Sequence, residues 1–168
     1  YKNGSNVKSE IKFEKNDIFF NYIKFTEDKN LISIDNLKLN SKKELKSISG
    51  IKIKTFNNNK ENNNFKINFK EKISVIGNKY DATNLLKQFS GENKDNILKN
   101  FKKDIEIKLD NLITKSEINL NDFNLIGQIR KGKFEKFSAK GEFSKNEYLD
   151  ISLKTDENNK KILEIYSD

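Results

Sequence analysis

Asp104 and Glu106 stand two residues apart in "FKKDIEIKLDNL", the nearest this chain comes to the paired carboxylates of a hydrolytic site. In a strand, that spacing puts both acids on one face. The alternating Ile105, Ile107 and Leu109 make it the polar face, with no flanking aromatic pocket to hold a substrate. Asp81 is a second candidate acid. It precedes the run "ATNLL", where a carboxylate accepts from first-turn amides and acts as a helix cap rather than a catalyst. The chain has no His and no Cys, so the usual general base, the thiol nucleophile and the common zinc ligands are missing. Disulfides are excluded for the same reason, and no phosphate-cradling loop is present. We therefore expect no enzyme, no catalytic residue, no metal and no cofactor.

Charge points to a partner class that the residue types then argue against. Lys and Arg number 33 against 25 Asp and Glu, a net +8, which would ordinarily suggest nucleic acid or an anionic membrane. Arg130 is the only arginine, however, and the lysines are spread along the polar side of nearly every segment. Forked recognition of phosphate and base edges favours Arg, so nucleic acid is not expected. The lysines fit a solvated outer face or a ring of headgroup contacts at the mouth of a groove, and both readings stay open. Abundant Lys and Asn, with Ile over Val, is also what an AT-rich genome would produce. The 168 residues include no Met, so we read the chain as an excised piece of a longer frame. No apolar run approaches the roughly 18 to 20 residues that cross a bilayer, so any membrane anchor is expected outside this piece.

The elements that would position these side chains are strands. Period-two alternation appears in Ile11/Phe13, Phe19/Ile23/Phe25, Ile32/Ile34, Leu37/Leu39, Ile51/Ile53, Phe65/Ile67/Phe69 and Ile73/Val75. It resumes in Ile105/Ile107/Leu109, Leu125/Ile129, Phe137/Phe143, Leu149/Ile151/Leu153 and Leu163/Ile165. The apolar phase slips by one residue between Ile34 and Leu37, which predicts a bulge near Asp35 and Asn36. Short polar connections, among them "TEDKN" (Thr26–Asn30), "NNNKENNN" (Asn57–Asn64) and "SKNE" (Ser144–Glu147), suit a meander of hairpins. The absence of Pro costs no ladder hydrogen bond.

One stretch breaks the pattern. With Asp81 as N-cap, Tyr80 falls at N′ and Leu85 at N4, the spacing of a hydrophobic staple. Leu85, Leu86 and Phe89 then share one face, and Gly91 stops the helix. A second helical turn, capped by Asp95 or Asn96 and carrying Ile97, Leu98 and Phe101, is expected to follow. The chain thus reads as a single domain over residues 1–168 with a helical insertion at about 81–101. Roughly ten strands at about 4.8 Å spacing expose an apolar face on the order of 900 Å². Two short helices, each about 13 Å by 10 Å, cover about a third of it.

The uncovered apolar surface must meet something. It is filled by the sheet closing on itself as a sandwich or barrel, by neighbouring segments of a longer chain, or by acyl chains in a groove. The candidate lining is the inward phase of the later strands: Ile105, Ile107, Leu109, Leu125, Phe137, Ala139, Phe143, Leu149, Ile151 and Leu153. Each of these is equally readable as an ordinary core residue. Ala139 and Gly141, between Phe137 and Phe143, are expected to leave space on that face for a ligand or partner side chain.

From Leu37 to Asp168 the chain resembles the AsmA-like superfamily of Gram-negative envelope proteins, closest to its very large YhdP-type members. The resemblance is carried by "ISVIGNKYDATNLL" (Ile73–Leu86), the polar spacer "SGENKD", and the strand order of "IEIKLDNLITKSEINLNDFNLIGQIRKGKFEKFSAKGEF" running on to "LDISLKT" and "LEIYSD". It implies a mainly β fold, a long curved antiparallel meander forming an open groove, with one or two short helices on the concave apolar face. It further implies one section of a longer protein tethered to the inner membrane, spanning the periplasm and carrying phospholipid toward the outer membrane. The partners would be acyl chains and neighbouring sections of the same chain. The other expectation is a closed β-sandwich or barrel serving as an interaction module without lipid.

Overall fold

The structure, a computed structural model, describes residues 4–83, 102–114, 119–131, 133–158 and 160–167. Among them are twelve strands: β1 (Asn6–Glu14), β2 (Asp17–Glu27), β3 (Asn30–Asn40), β4 (Leu45–Ser47), β5 (Gly50–Asn57), β6 (Lys60–Phe69), β7 (Ile73–Asp81), β8 (Lys102–Ile113), β9 (Asn119–Arg130), β10 (Lys133–Ser144), β11 (Glu147–Thr155) and β12 (Lys161–Ser167). All belong to one sheet, in chain order from β1 to β12, with β4 beside β5 along β3. The sheet is open: β1 and β12 lie at opposite ends and do not pair with each other. The expected closed sandwich or barrel is therefore not what these strands form.

The period-two pattern works because pairing aligns it laterally. Ile23, Ile34, Ile51, Ile67, Val75, Ile107, Leu125, Ala139, Ile151 and Ile165 are cross-strand neighbours in turn, a row of apolar side chains crossing the sheet from β2 to β12. A parallel row runs Phe69, Ile73, Ile105, Gly127, Phe137, Leu153, Leu163. Cross-strand pairs of this kind contribute about 0.2 to 1 kcal/mol each, and lateral repetition makes them the main packing of the sheet. Burial is deepest in the middle, at Phe65, Ile73, Ile105, Leu109, Leu120, Phe123, Leu125 and Ala139. The accessible surface is 12321 Å², where a compact monomer of 19.6 kDa would expose about 8600 Å². A single layer accounts for such an excess; two packed layers would not.

Turn chemistry sets the hairpins. Asn58 and Asn59 both have positive φ, 49° and 61°, as a two-residue turn matched to strand twist requires. The turn is much tighter than the expected Asn57–Asn64 loop, and the rest of the asparagine tract is strand. The Thr55 hydroxyl donates to Asn62 Oδ1 at 2.8 Å, and Asn63 Nδ2 donates to the same hydroxyl at 2.9 Å. Asn63 Oδ1 also accepts from the Asp81 amide at 2.9 Å, standing in for a backbone carbonyl where β6 and β7 part. The irregularity expected near Asp35 and Asn36 is present in another form. Asn36 has φ 51°, and β3 changes partner there from β5 to β4, while its register against β2 runs straight through.

One expectation is corrected. The sheet is not wholly antiparallel: β7 and β8 pair in parallel, from Ile73 opposite Ile105 to Asp81 opposite Ile113. Parallel neighbours cannot be joined by a tight hairpin, so β7 and β8 need a longer connection. That is the physical reason for the one stretch that does not alternate. The described residues contain no helix; Tyr80 and Asp81 are the last two residues of β7, and the helix they were expected to open falls on residues outside those described. Leu85, Leu86, Phe89, Ile97, Leu98 and Phe101 lie outside the described residues.

Two glycines permit the close register at the centre. A Cβ on Gly77 would sit 2.3 Å from the Asn64 carbonyl oxygen and 2.4 Å from Phe65 Cα; on Gly127 it would sit 2.7 Å from Phe137 Cβ. Both contacts are with the neighbouring strand, at places where its register slips. Gly77→Ala and Gly127→Ala should each cost about 1 to 3 kcal/mol, as overpacking does, with Gly77 the larger. Urea unfolding of the two variants checks this, and a neutral Gly77→Ala would mean that β6 and β7 pair differently.

Candidate functional site

The apolar face deepens into a hollow of about 290 Å³ astride the parallel junction. On one side stand Ile53 of β5, Phe65 and Ile67 of β6, and Val75 and Tyr80 of β7. On the other stand Ile107, Leu109 and Leu112 of β8, Phe123 and Leu125 of β9, and Phe134 of β10. The Tyr80 hydroxyl is the only side-chain polar atom in that lining. Burial raises its pKa above the ordinary phenol value, with the neighbouring Asp81 carboxylate adding to the effect. The Tyr80 ring meets Phe65 edge-on, centroids 5.2 Å apart, and Phe134 meets Phe137 similarly at 5.1 Å.

Tyr80 and Leu112 reach this face through a change of phase. Gly77 opposes Leu109, but three residues on, Tyr80 opposes Leu112, so both strands have turned over between these positions. In β9 the same change separates Leu120 from Phe123, at Asp122 with φ 48°. The walls of the hollow come from these matched shifts.

The predicted lining divides into three groups. Ile107, Leu109 and Leu125 line the hollow itself. Ile105 and Ala139 are buried in the rows beside it, and Phe137, Phe143, Leu149 and Ile151 are half-buried and packed against that cluster. Leu153 is half-buried between Phe137 and Leu163. The space expected beside Ala139 and Gly141 is filled by the chain itself, since a Cβ on Gly141 would lie 3.0 Å from Leu120 Cβ and 3.3 Å from the Phe123 ring. Sequence reasoning missed Ile53, Phe65, Ile67 and Val75 as lining, although their alternation was visible. Nothing in a strand pattern says that β7 will lie beside β8. Leu112 and Phe134 were missed because they are out of phase with Leu109 and Phe137.

The opposite face is polar and ion-paired. Glu106 sits between Lys108, at 2.8 Å, and Lys72, which also donates to it. These two ammonium groups pull its pKa from 4.5 to about 2, Lys108 having the larger effect. Asp104 accepts from Gln128 Nε2 at 2.9 Å. A carboxylate held ionised on an open sheet face is a poor general acid. Lys140 lies 4.2 Å from the Tyr148 ring centre and 3.8 Å from Asp150. Ile126 is an apolar residue on this face, 65% exposed between Glu106 and Ser138. Asp81 is engaged locally: Thr83 donates to it from its amide at 3.0 Å and its hydroxyl at 2.6 Å, lowering its pKa.

Among the described residues no group of His, Cys, Asp and Glu is placed to hold a metal ion, and no helix is long and apolar enough to cross a membrane. Comparison with family models, with curated proteins and with solved structures returned no match.

The lowered carboxylates set a pH dependence. Glu106, Asp17 and Asp81 all have folded pKa values below their unfolded ones, Asp17 chiefly through Lys46 and then Lys38. Their stabilisation is complete above the unfolded values and is lost as pH falls through the folded ones. The urea midpoint should therefore hold between pH 7 and 5 and decline from about pH 4.5 toward pH 2. Glu106→Gln should make the decline shallower; an unchanged slope would mean that the Lys72 and Lys108 pairs do not form.

Proposed function

We propose that this chain is a section of a bridge-like lipid-transport protein of the AsmA-like kind, whose apolar sheet face carries phospholipid acyl chains. What supports the reading is one observation: the apolar rows run to the last strand of an open sheet and deepen into a hollow almost without polar atoms. An occupant that brought peptide groups would leave its amides without partners on such a lining, at a cost of about 1 to 3 kcal/mol each. Hydrocarbon brings none, and each methylene taken from water contributes about 0.8 kcal/mol. The volume of 290 Å³ suits an apolar segment rather than a whole lipid, so headgroups would stay outside the sheet.

On this reading the protein is not an enzyme and acts passively. It is tethered to the inner membrane of a Gram-negative bacterium through an anchor elsewhere in a longer chain, lies in the periplasm, and meets neighbouring sections of that chain. The likeness of "ISVIGNKYDATNLL" and the strands after it to that superfamily supplies the setting.

The test is chemical. The purified chain should carry phospholipid detectable by mass spectrometry after extraction. A photo-crosslinking residue at Val75, Phe134, Phe137 or Ile151 should label lipid. The same residue at Ile126, apolar and exposed on the opposite face, should not. Absence of lipid together with equal labelling at Ile126 and Val75 would overturn the proposal.

A further inference from the structure

Lysines occur in nearly every segment, but the net charge is gathered at one end of the sheet. Strand directions put the connections 14–17, 40–50, 69–73, 130–133 and 155–161, with the start of β8, at one end. The connections 27–30, 57–60 and 144–147, with the last residues of β7 and β8 and the start of β9, lie at the other. Among the described residues, the first set holds twelve Lys and Arg against six Asp and Glu, and the second three against four. One end therefore carries most of the net +8. Three of its cations are direct cross-strand neighbours, since Lys102 opposes Arg130 and Arg130 opposes Lys133. Like charges so placed repel, and of the three only Arg130 has an acidic partner among the described residues, Glu135 at 3.3 Å. Lys103 donates to the carbonyls of Lys70 and Glu71, at 2.9 and 3.2 Å, which holds the next basic turn beside this row. The same end has a small recess of about 170 Å³, where Leu45, Ile48, Phe69 and Ile73 stand together with Lys46, Lys70 and Lys103.

We propose that this end of the sheet docks on the surface of a phospholipid bilayer that contains anionic lipid. Charge complementarity and the apolar recess together select that partner. The cations sit at the tips of neighbouring strands, about 4.8 Å apart from one strand to the next, and so form a band that meets an extended anionic surface rather than one bound ion. Nearly all are lysines, compact point charges that suit mobile headgroups, where forked recognition of a fixed phosphate would favour Arg. A phospholipid brings both parts that the recess matches, a phosphate for the lysines and hydrocarbon for Leu45, Ile48 and Phe69. Nucleic acid brings phosphate without hydrocarbon. Phe69 and Ile73 also begin the apolar row nearest this end, so the recess is continuous with the face that holds the larger hollow. The inference deepens the proposed function by naming the end at which hydrocarbon would reach that face, but docking itself does not require that lipid be carried.

Vesicle flotation of the 168-residue chain is the test. The chain should float with vesicles of phosphatidylcholine containing about one quarter phosphatidylglycerol, stay behind with pure phosphatidylcholine, and detach as salt rises from about 0.05 to 0.5 M. Lys102→Gln combined with Lys133→Gln should lower the partition by about tenfold or more, at roughly fivefold per charge. Lys29→Gln combined with Lys60→Gln, at the other end, should leave it unchanged. The first pair relieves a repulsion, so its urea midpoint should not fall, and weaker docking then cannot be put down to unfolding. Equal flotation with neutral vesicles, equal loss in the two pairs of variants, a lower urea midpoint for the first pair, or tighter binding to a DNA duplex than to the anionic vesicles would each overturn the proposal. Phospholipid recovered from a chain that does not float would sink docking and leave the conduit standing; flotation of a chain that carries no lipid would do the reverse.

Discussion

The structure depends on lateral alignment. A sheet one layer thick has no opposing layer to correct an error, so each strand must deliver its apolar side chains to the same face at the same level as its neighbours. The row from Ile23 to Ile165 is that requirement met across successive strands. A slip of one residue anywhere would turn a strand's whole apolar set to the other side. In β7, β8 and β9 the change of phase is made together, and the slips of β6 and β10 against them absorb it on either side. The turnover between Gly77 and Tyr80 in β7 is matched between Leu109 and Leu112 in β8 and between Phe123 and Leu120 in β9, and β10 shifts register at Lys140 to Glu142. The shared change of phase adds Tyr80, Leu112 and Leu120 to the apolar side.

The parallel junction divides the sheet into two meanders, β1 to β7 and β8 to β12. It is also where the face is deepest. Both sides of the hollow need it, since Phe65 and Val75 come from the first meander and Leu109 and Phe123 from the second. Of the connections between neighbouring strands, the one through residues 82–101 serves this parallel pair, the only pair a hairpin cannot join. The least regular part of the sequence thus marks the place where the site is assembled.

Much of this was legible in the sequence. Alternation identified nearly every strand, and it places Asp104 and Glu106 on the polar face because period two leaves no choice once the apolar phase is known. Three things were not legible, each for a physical reason. Strand direction is invisible to alternation, which reads the same for parallel and antiparallel neighbours, so β7 beside β8 could not be foreseen. Asparagine in a tract reads as loop, yet Asn62 and Asn63 are strand residues because Thr55 and the Asp81 amide give their side chains partners. Phase changes hid Leu112 and Phe134, the first shared by β7, β8 and β9 and the second a slip of β10 against β9. The candidate lining was therefore found on the β8 to β11 side and missed on the β5 to β7 side.

A single layer also ties stability to occupancy. Folding must offset about 1 to 2 kcal/mol of backbone entropy per residue, and hydrophobic burial is the main compensation. Here, among the described residues, the deeply buried apolar side chains are eight near the centre, while Val7, Leu163 and Ile165 remain open to water. Whatever covers that face adds the missing burial, and because it binds the aligned sheet and not the disordered chain, it stabilises the fold by an amount that grows with the logarithm of its concentration. Hydrocarbon on the central rows would act in this way. The alignment of ten side chains in a row and the affinity for a covering partner are two aspects of one equilibrium, since the loss of register that would flip a strand is also what would disperse the surface the partner recognises.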